Sequence, residues 1–419
     1  MRVIILLLLW VLPSALFAQN SYLLVPDAVF DGLTLRSNVV VLVQGNTIQY
    51  VGEAAKAPRT ASTQEVRLGG LILMPGMIEA HSHVLLHPYD ETNWNDQVLK
   101  ESETVRVVRA VNHLRKTLEA GFTTIRDLGT EGAGYADVGL KQAAQQGLIP
   151  SPRMIVTTKA IIATGSYAPR RTDFAADVPQ GAEEADGNEL VRVVRDQIGH
   201  GADWIKVYAD YRWGGNGQAA PTFSLEELKL IVETAASSGR NVVAHAGTAE
   251  GMRRAILAGI KTIEHGDGGT PEIFALMKEH GVALCPTLAA VESTSRYAGW
   301  KKGTDAEPER VKQKKASFKM AMDAGVLMCN GSDVGVFSHG ENALELELMN
   351  EYGMSRLEVL KSATSRNAQI LGLGKLGQVA SGFWADLIAV EGNPLNDFGA
   401  LRRVKMVMKD GVFYKQTTK

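Results

Sequence analysis

Residues 224–265 read SLEELKLIVETAASSGRNVVAHAGTAEGMRRAILAGIKTIEH, and this stretch decides the fold. Leu225, Leu228, Ile231 and Val232 follow the i, i+3, i+4 spacing of a helix with one apolar face. Ser224 and Glu227 predict a capping box at its start. Gly239 ends the helix, because glycine takes positive φ without a Cβ clash. A short apolar strand, Asn241 to His245, follows at once. The unit then repeats: Gly259 precedes a strand from Ile260 to His265. The same order recurs at Gly121 with Phe122 to Asp127, Gly201 with Ala202 to Tyr208, Gly281 with Val282 to Pro286, and Gly325 with Val326 to Asp333. These strands are apolar on both faces, as in a buried parallel sheet. With stretches beginning at Leu73 and Met154, about eight strands can be counted. Serial strand–helix units of that number predict an α/β protein with a (β/α)8 TIM barrel, whose chemistry sits at the C-terminal strand ends.

The flanks lack this unit. Tyr22–Val25, Val39–Val43 and Thr47–Val51 are short strand patterns, with Gly45-Asn46 between the last two. Ala385–Val390, Val404–Lys409 and Val412–Tyr414 repeat the style near the other end, with Asp410-Gly411 as a hairpin signal. The expected organisation is a small β-sandwich domain built from 20–72 and 373–419, beside a barrel over 73–372. Residues 1–19 read as a secretory signal peptide: Met1-Arg2, an apolar run from Val3 to Leu12, then small residues with cleavage expected near Ala18 or Gln19. That implies a periplasmic or secreted mature protein with no membrane attachment once the signal is removed.

The 419 residues suffice for a large core; 45% are hydrophobic and 21% charged, and the formal net charge is -2. This balance argues against nucleic acid or an anionic membrane surface as partner. Cys285 and Cys329 are too few for a disulfide framework. Buried free thiols are the preferred reading, with one bridge as the alternative in an oxidising compartment.

Polar residues stand at the predicted strand ends. His81 and His83, at i and i+2 of an extended strand, face the same side and can share one metal ion. Lys206, His245, His265 and Asp333 end four further strands. Singly, each has a bland reading: a satisfied histidine, a turn aspartate, a surface lysine. Six such residues at one end of successive units point to a shared metal site, and imidazole with carboxylate suits Zn²⁺.

The motifs MPGMIEAHSH (74–83), GFTTIRD (121–127), ADWIKVY (202–208), VAHA (243–246), TIEHG (262–266) and GSD (331–333) together resemble a binuclear member of the amidohydrolase superfamily. The similarity runs over residues from about 21 to 415. Within the superfamily it is to the imidazolonepropionase-like branch, which contains Xaa-Pro and Xaa-Arg/Lys dipeptidases and ochratoxin-hydrolysing amidases. The resemblance implies two divalent ions. His81, His83 and Asp333 would hold the deeper ion and His245 and His265 the second. Lys206 would bridge them as a CO2-derived carbamate. It further implies amide hydrolysis by a metal-bridging hydroxide, with Asp333 moving the proton. Relatives of this kind often form homo-oligomers.

Dipeptides or N-acyl amino acids are the expected small-molecule substrates. A free α-carboxylate needs donors, for which Tyr167, Arg170, Arg171, Tyr208, Tyr211, Arg212 and His339 are candidates. Tyr208 is the leading choice for a substrate or oxyanion hydrogen bond. Thr164-Gly165-Ser166-Tyr167 departs from the Gly-Gly-His pattern of many dipeptidases of this branch, which suggests a bulkier acyl group. A cyclic amide hydrolase, or a catalytically dead secreted binding protein, is the alternative.

Overall fold

The computed structural model describes residues 20–167 and 180–416. The expected signal peptide and the candidates Arg170 and Arg171 lie outside them. Parallel strands alternate with helices through the middle of the chain. Met77–Ser82, Phe122–Asp127 and Arg153–Val156 form one parallel sheet. Ile161–Ile162, Trp204–Tyr208, Asn241–Ala246, Thr262–His265 and Ala283–Cys285 form a second, with Glu183–Glu184 on its outer edge. The Asp203 N–H donates to the Val156 carbonyl at 2.8 Å. Isolated parallel bridges join Leu284 to Met328 and Ser82 to Val334.

The local signals act as read. Ser224 and Glu227 make the capping box of helix Leu225–Ala236. Gly201, Gly259, Gly281 and Gly325 end their helices in the left-handed conformation. Ile205, Val207, Ala244, Ile263 and Leu284 are buried in one cluster with helical Leu228, Ile231, Met252 and Phe274. Strand alternation therefore turns Lys206, Tyr208, His245 and Glu264 to the other face. In parallel register Tyr208 lies opposite His245, and Ala246 opposite His265.

Two expectations are corrected. The stretch from Val326 to Asp333 is not a regular strand: one isolated bridge at Met328 marks it, and a second at Val334 follows it. Two of its backbone donors go to side chains, Asn330 N–H to Asn367 Oδ1 at 3.2 Å and Ser332 N–H to Glu79 Oε1 at 2.8 Å. Cys285 and Cys329 are not free thiols but a disulfide with a Cα–Cα separation of 4.9 Å. The Leu284–Met328 bridge sets the next residue of each segment side by side, within disulfide reach.

The two flanks meet in one eight-stranded sheet. Its order is Val412–Gln416, Val404–Lys409, Leu387–Glu391, Gln64–Pro75, Ser21–Phe30, Val40–Gln44 and Thr47–Gly52, with Leu35–Ser37 paired to Ser21–Phe30. Asp410 and Gly411 both have positive φ, 51° and 73°, as a two-residue type I′ hairpin turn requires. Gln64–Pro75 leads through Gly76 directly into Met77–Ser82. A Cβ at Gly76 would lie 2.1 Å from Thr123 Oγ1, so glycine is needed there. Among the described residues no helix is long and apolar enough to cross a membrane.

Candidate active site

The strand ends, together with the irregular Asp333 segment, bring the six predicted residues to one cavity of about 480 Å³. Asp333 Oδ1 lies 3.4 Å from both His81 Nε2 and His83 Nε2. The His81 ring centroid is 5.3 Å from those of His83 and His265, and His245 is 4.4 Å from His265. Donor atoms of His81, His265 and Asp333 all fall within 4.8 Å of one another. Lys206 is buried and lines the same cavity. Burial pushes its pKa down to about 8, which brings the neutral amine within reach near neutral pH. Burial likewise holds His81 and His265 well below the usual histidine range and His245 at about 3, so these imidazoles are neutral. Neutral imidazole is the ligating form.

The far nitrogens of three rings are already committed. His81 Nδ1 is hydrogen-bonded to Glu264 Oε2 at 2.8 Å, His83 Nδ1 to the Gly129 carbonyl at 3.0 Å, and His265 Nδ1 to Thr287 Oγ1 at 2.8 Å. Outer partners of this kind fix the tautomer and leave Nε2 to face an ion. The donor set therefore fits a metal. Backbone conformation adds to it. Of the seven non-glycine residues with positive φ among the described residues, four line this cavity: Glu131, His265, Thr287 and Asp333. Such strain persists where surrounding structure over-determines it, and it gathers at functional sites.

Sequence reasoning missed the layer behind the ligands. Arg126 is fully buried and donates to the Ala80 carbonyl at 2.7 Å and to Glu264 Oε1 at 3.0 Å. Glu79 accepts from Ser332 N–H and Oγ and from Asn342 Nδ2, tying the His81 strand to the Asp333 segment. Burial pushes its pKa up to about 7. Both acids were visible as Glu79-Ala80-His81 and Glu264-His265, charged residues inside apolar strands, which lack a cheap place to go unless paired.

The substrate-side candidates divide. Tyr167, Tyr208, Tyr211 and Arg212 line the cavity. Tyr208 stacks on His245 with centroids 4.7 Å apart and on Tyr167 at 4.6 Å, and its hydroxyl is hydrogen-bonded to Tyr167. Tyr167 donates to Glu131 Oε2 at 2.6 Å, where Trp94 Nε1 also donates at 2.9 Å. His339 is not brought to the cavity. It is buried, stacked on His113 with centroids 4.3 Å apart, and its Nε2 is 3.3 Å from the Leu86 carbonyl. Tyr89, Glu131, Asp210, Asp267, Thr294 and Arg310 complete the polar lining.

Residues 72–413 match a model described as the amidohydrolase family. Ochratoxinase from Aspergillus niger is 32% identical over 435 residues, covering 94% of this chain and 85% of that protein. Imidazolonepropionase from Deinococcus deserti is 23% identical over 417 residues, 92% of this chain and 94% of that one. A crystal structure of a Xaa-Pro dipeptidase with methionine bound in its active site aligns with a TM-score of 0.83 at 31% identity, over 94% of this chain and 100% of that chain. The A. niger ochratoxinase structure aligns with a TM-score of 0.80 at 29% identity, over 95% and 96% respectively.

Proposed function

The chain belongs to the amidohydrolase family and is a hydrolase of amide C–N bonds; on that premise we propose an exported, binuclear metal enzyme that cleaves dipeptides or N-acyl amino acids. Export rests on the residue pattern of 1–19 and places the enzyme in the periplasm or outside the cell. Its scaffold is a closed (β/α)8 barrel over 73–372 with a small β domain from 20–72 and 373–419. Closure is supported by the links Val156 to Asp203, Leu284 to Met328 and Ser82 to Val334, which join the parallel strands in sequence order around a ring. The observation that carries the functional reading is the convergence of His81, His83 and Asp333 on one point, with the far ring nitrogens held from behind.

His81, His83 and Asp333 would hold one divalent ion, His245 and His265 the other, and Lys206 both, with Zn²⁺ the ion that this donor set suits. When bound, such ions make water a nucleophile at neutral pH and polarise a carbonyl oxygen. Lys206 meets its part as a carbamate. The neutral amine adds to CO2 and releases a proton, which replaces a cation by an anionic ligand. Asp333 takes the proton of the attacking water as the C–O bond forms. It then gives that proton to the amide nitrogen as the C–N bond breaks. The products are a carboxylic acid and an amino acid. The aromatic wall of Tyr167, Tyr208 and Tyr211 shields the site from bulk water.

The test is metal analysis together with a library of dipeptides and N-acyl amino acids. About two divalent ions per chain, loss of turnover on chelation and cleavage within the library are expected. Lys206→Ala should lose activity and one of the ions, with partial rescue of turnover by short carboxylic acids. Full metal content in Lys206→Ala would overturn its bridging role, and a metal-free, inactive wild type would favour the binding-protein alternative.

A further inference from the structure

The Cys285–Cys329 bridge lies beneath the metal ligands, and the hydrolysis scheme makes no use of it. Both cysteines are fully buried. They belong to neighbouring segments, the strand Ala283–Cys285 and the irregular stretch that runs to Asp333. The two segments begin as a parallel ladder. Leu284 N–H donates to the Leu327 carbonyl and Cys329 N–H to the Leu284 carbonyl, both at 2.9 Å. The next rung of a parallel ladder needs the N–H of residue 286, and that residue is proline. The ladder stops there, and the disulfide stands at the stop. Beyond it the segments meet again through Thr287 N–H, which donates to the Gly331 carbonyl at 3.2 Å.

Contacts on three sides carry this point to the site. Thr287, just after Cys285, is hydrogen-bonded to His265 Nδ1 at 2.8 Å. Thr287, His265 and Asp333 all have positive φ, 53°, 77° and 64°, a conformation that persists only where neighbours enforce it. Gly331 lies between the bridge and His81. A Cβ there would be 3.0 Å from the Cβ atoms of both Cys285 and His81. On another side Arg126 Nη2 approaches Cys285 Sγ at 3.8 Å, and Arg126 holds Glu264, the partner of His81. The crosslink thus touches the supports of His81, His265 and Asp333, which belong to both ion positions.

We propose that the Cys285–Cys329 disulfide is a positioning element of the active site, which sets His265 and Asp333 in register so that both ions meet complete ligand sets. The proposal rests on the binuclear reading of the site and adds a covalent condition to it. A disulfide commonly stabilises by constraining the unfolded chain, and that role needs no contact with a site. Here the bond stands where backbone pairing fails between two segments that carry or hold ligands. Its loss therefore frees a displacement within the folded protein. A misplacement of about 1 Å is enough to cost metal affinity and turnover while the fold stays intact.

The test compares Cys285→Ala/Cys329→Ala with wild type, reading Zn²⁺ affinity by competition with a chelating dye well below the melting temperature. Val43→Ala, in the core of the flanking sheet, is the control that loses stability away from the site. The double variant should bind Zn²⁺ about 10–100-fold more weakly, with kcat lowered by a similar factor and KM little changed. The visible spectrum of its Co²⁺-loaded form should shift, since the ligand field changes. Val43→Ala should melt earlier and match wild type in the rest. A double variant that melts earlier yet keeps wild-type Zn²⁺ affinity and Co²⁺ spectrum reduces the bridge to a chain staple and overturns the proposal. Equal loss of affinity in Val43→Ala overturns it too, by making the effect one of stability. If the double variant does not fold, Thr287→Val takes its place, because it keeps the crosslink and the side-chain shape but not the bond to His265. The same loss of affinity is then expected, and unchanged affinity overturns the route from the bridge to His265. A wild type that binds no Zn²⁺ sinks the binuclear reading and the proposal with it, a result distinct from any difference between variants.

Discussion

The two halves of the cavity are built by different means. On the ligand side, His81, Lys206, His245 and His265 lie on strands, and two of them, His81 and His265, are held again from behind. His81 leans on Glu264, Glu264 on Arg126, and Arg126 on the Ala80 carbonyl one residue before His81. The circuit closes on itself. On the substrate side, Tyr167, Arg212 and Arg310 come from loops or a helix start; Tyr167 is held by Glu131 and Tyr208, and the two arginines make one hydrogen bond or none among the described residues. One half is over-determined, so that chemistry survives. The other can change with little cost to the fold, which is how one scaffold comes to serve many substrates. The sharpest way to break this contrast is Asp333→Asn. The amide keeps the shape and one oxygen donor but cannot accept the proton. Turnover should fall by about 10²–10⁴-fold while the protein stays folded and keeps most of its metal, read by kinetics and metal analysis on the same sample. Near-wild-type turnover would take Asp333 out of the proton path.

The ligand side was legible because strand periodicity and Gly-terminated helices put each ligand at a countable place. Gly259 and Gly281 end helices as expected, and His265 falls between them at the end of Thr262–His265. Less could be read where side chains replace backbone ladders. The Asp333 segment looks like a strand in its run of apolar residues, but Glu79 and Asn367, over 250 and 37 residues away in sequence from their partners, claim two of its donors. Nothing local announces such a contact. The disulfide stood only as the alternative to free thiols for a related reason, since the Leu284–Met328 bridge is what brings Cys285 beside Cys329. His339 misled in the opposite direction: it follows Asp333 closely, yet its ring stacks on His113 rather than facing the cavity.

A smaller effect tests whether the closed circuit matters. Glu264→Gln keeps the volume but leaves fully buried Arg126 without its counter-charge. It also replaces the carboxylate that orients His81. Removing one partner of a buried pair costs about 3–5 kcal/mol, and outer-shell changes cost about 10–100-fold in metal affinity. A clear drop in melting temperature and weaker metal retention against a competing chelator are expected together. Metal affinity that falls without any loss of stability would mean that Arg126 finds another acceptor. Unchanged values for both would show that the strand alone holds His81.

Tyr208 sits on the border between the halves, and its variant should have the smallest effect. It belongs to the Lys206 strand and stacks on His245, which places it with the ligands. Its hydroxyl, however, is engaged by Tyr167, which in turn donates to Glu131. Tyr208→Phe keeps the stacked ring and removes one hydrogen bond, worth about 1 kcal/mol. If the hydroxyl only braces the wall, kcat/KM should fall by less than about tenfold, and Tyr167→Phe should do much the same, because either change breaks the same chain. If the hydroxyl turns to the substrate oxygen during reaction, kcat alone should fall by about 10²–10³-fold, as for a lost oxyanion donor, with Tyr167→Phe far milder. The engaged hydroxyl favours the first outcome, and the ratio of the two variants measures on which side of the border Tyr208 works.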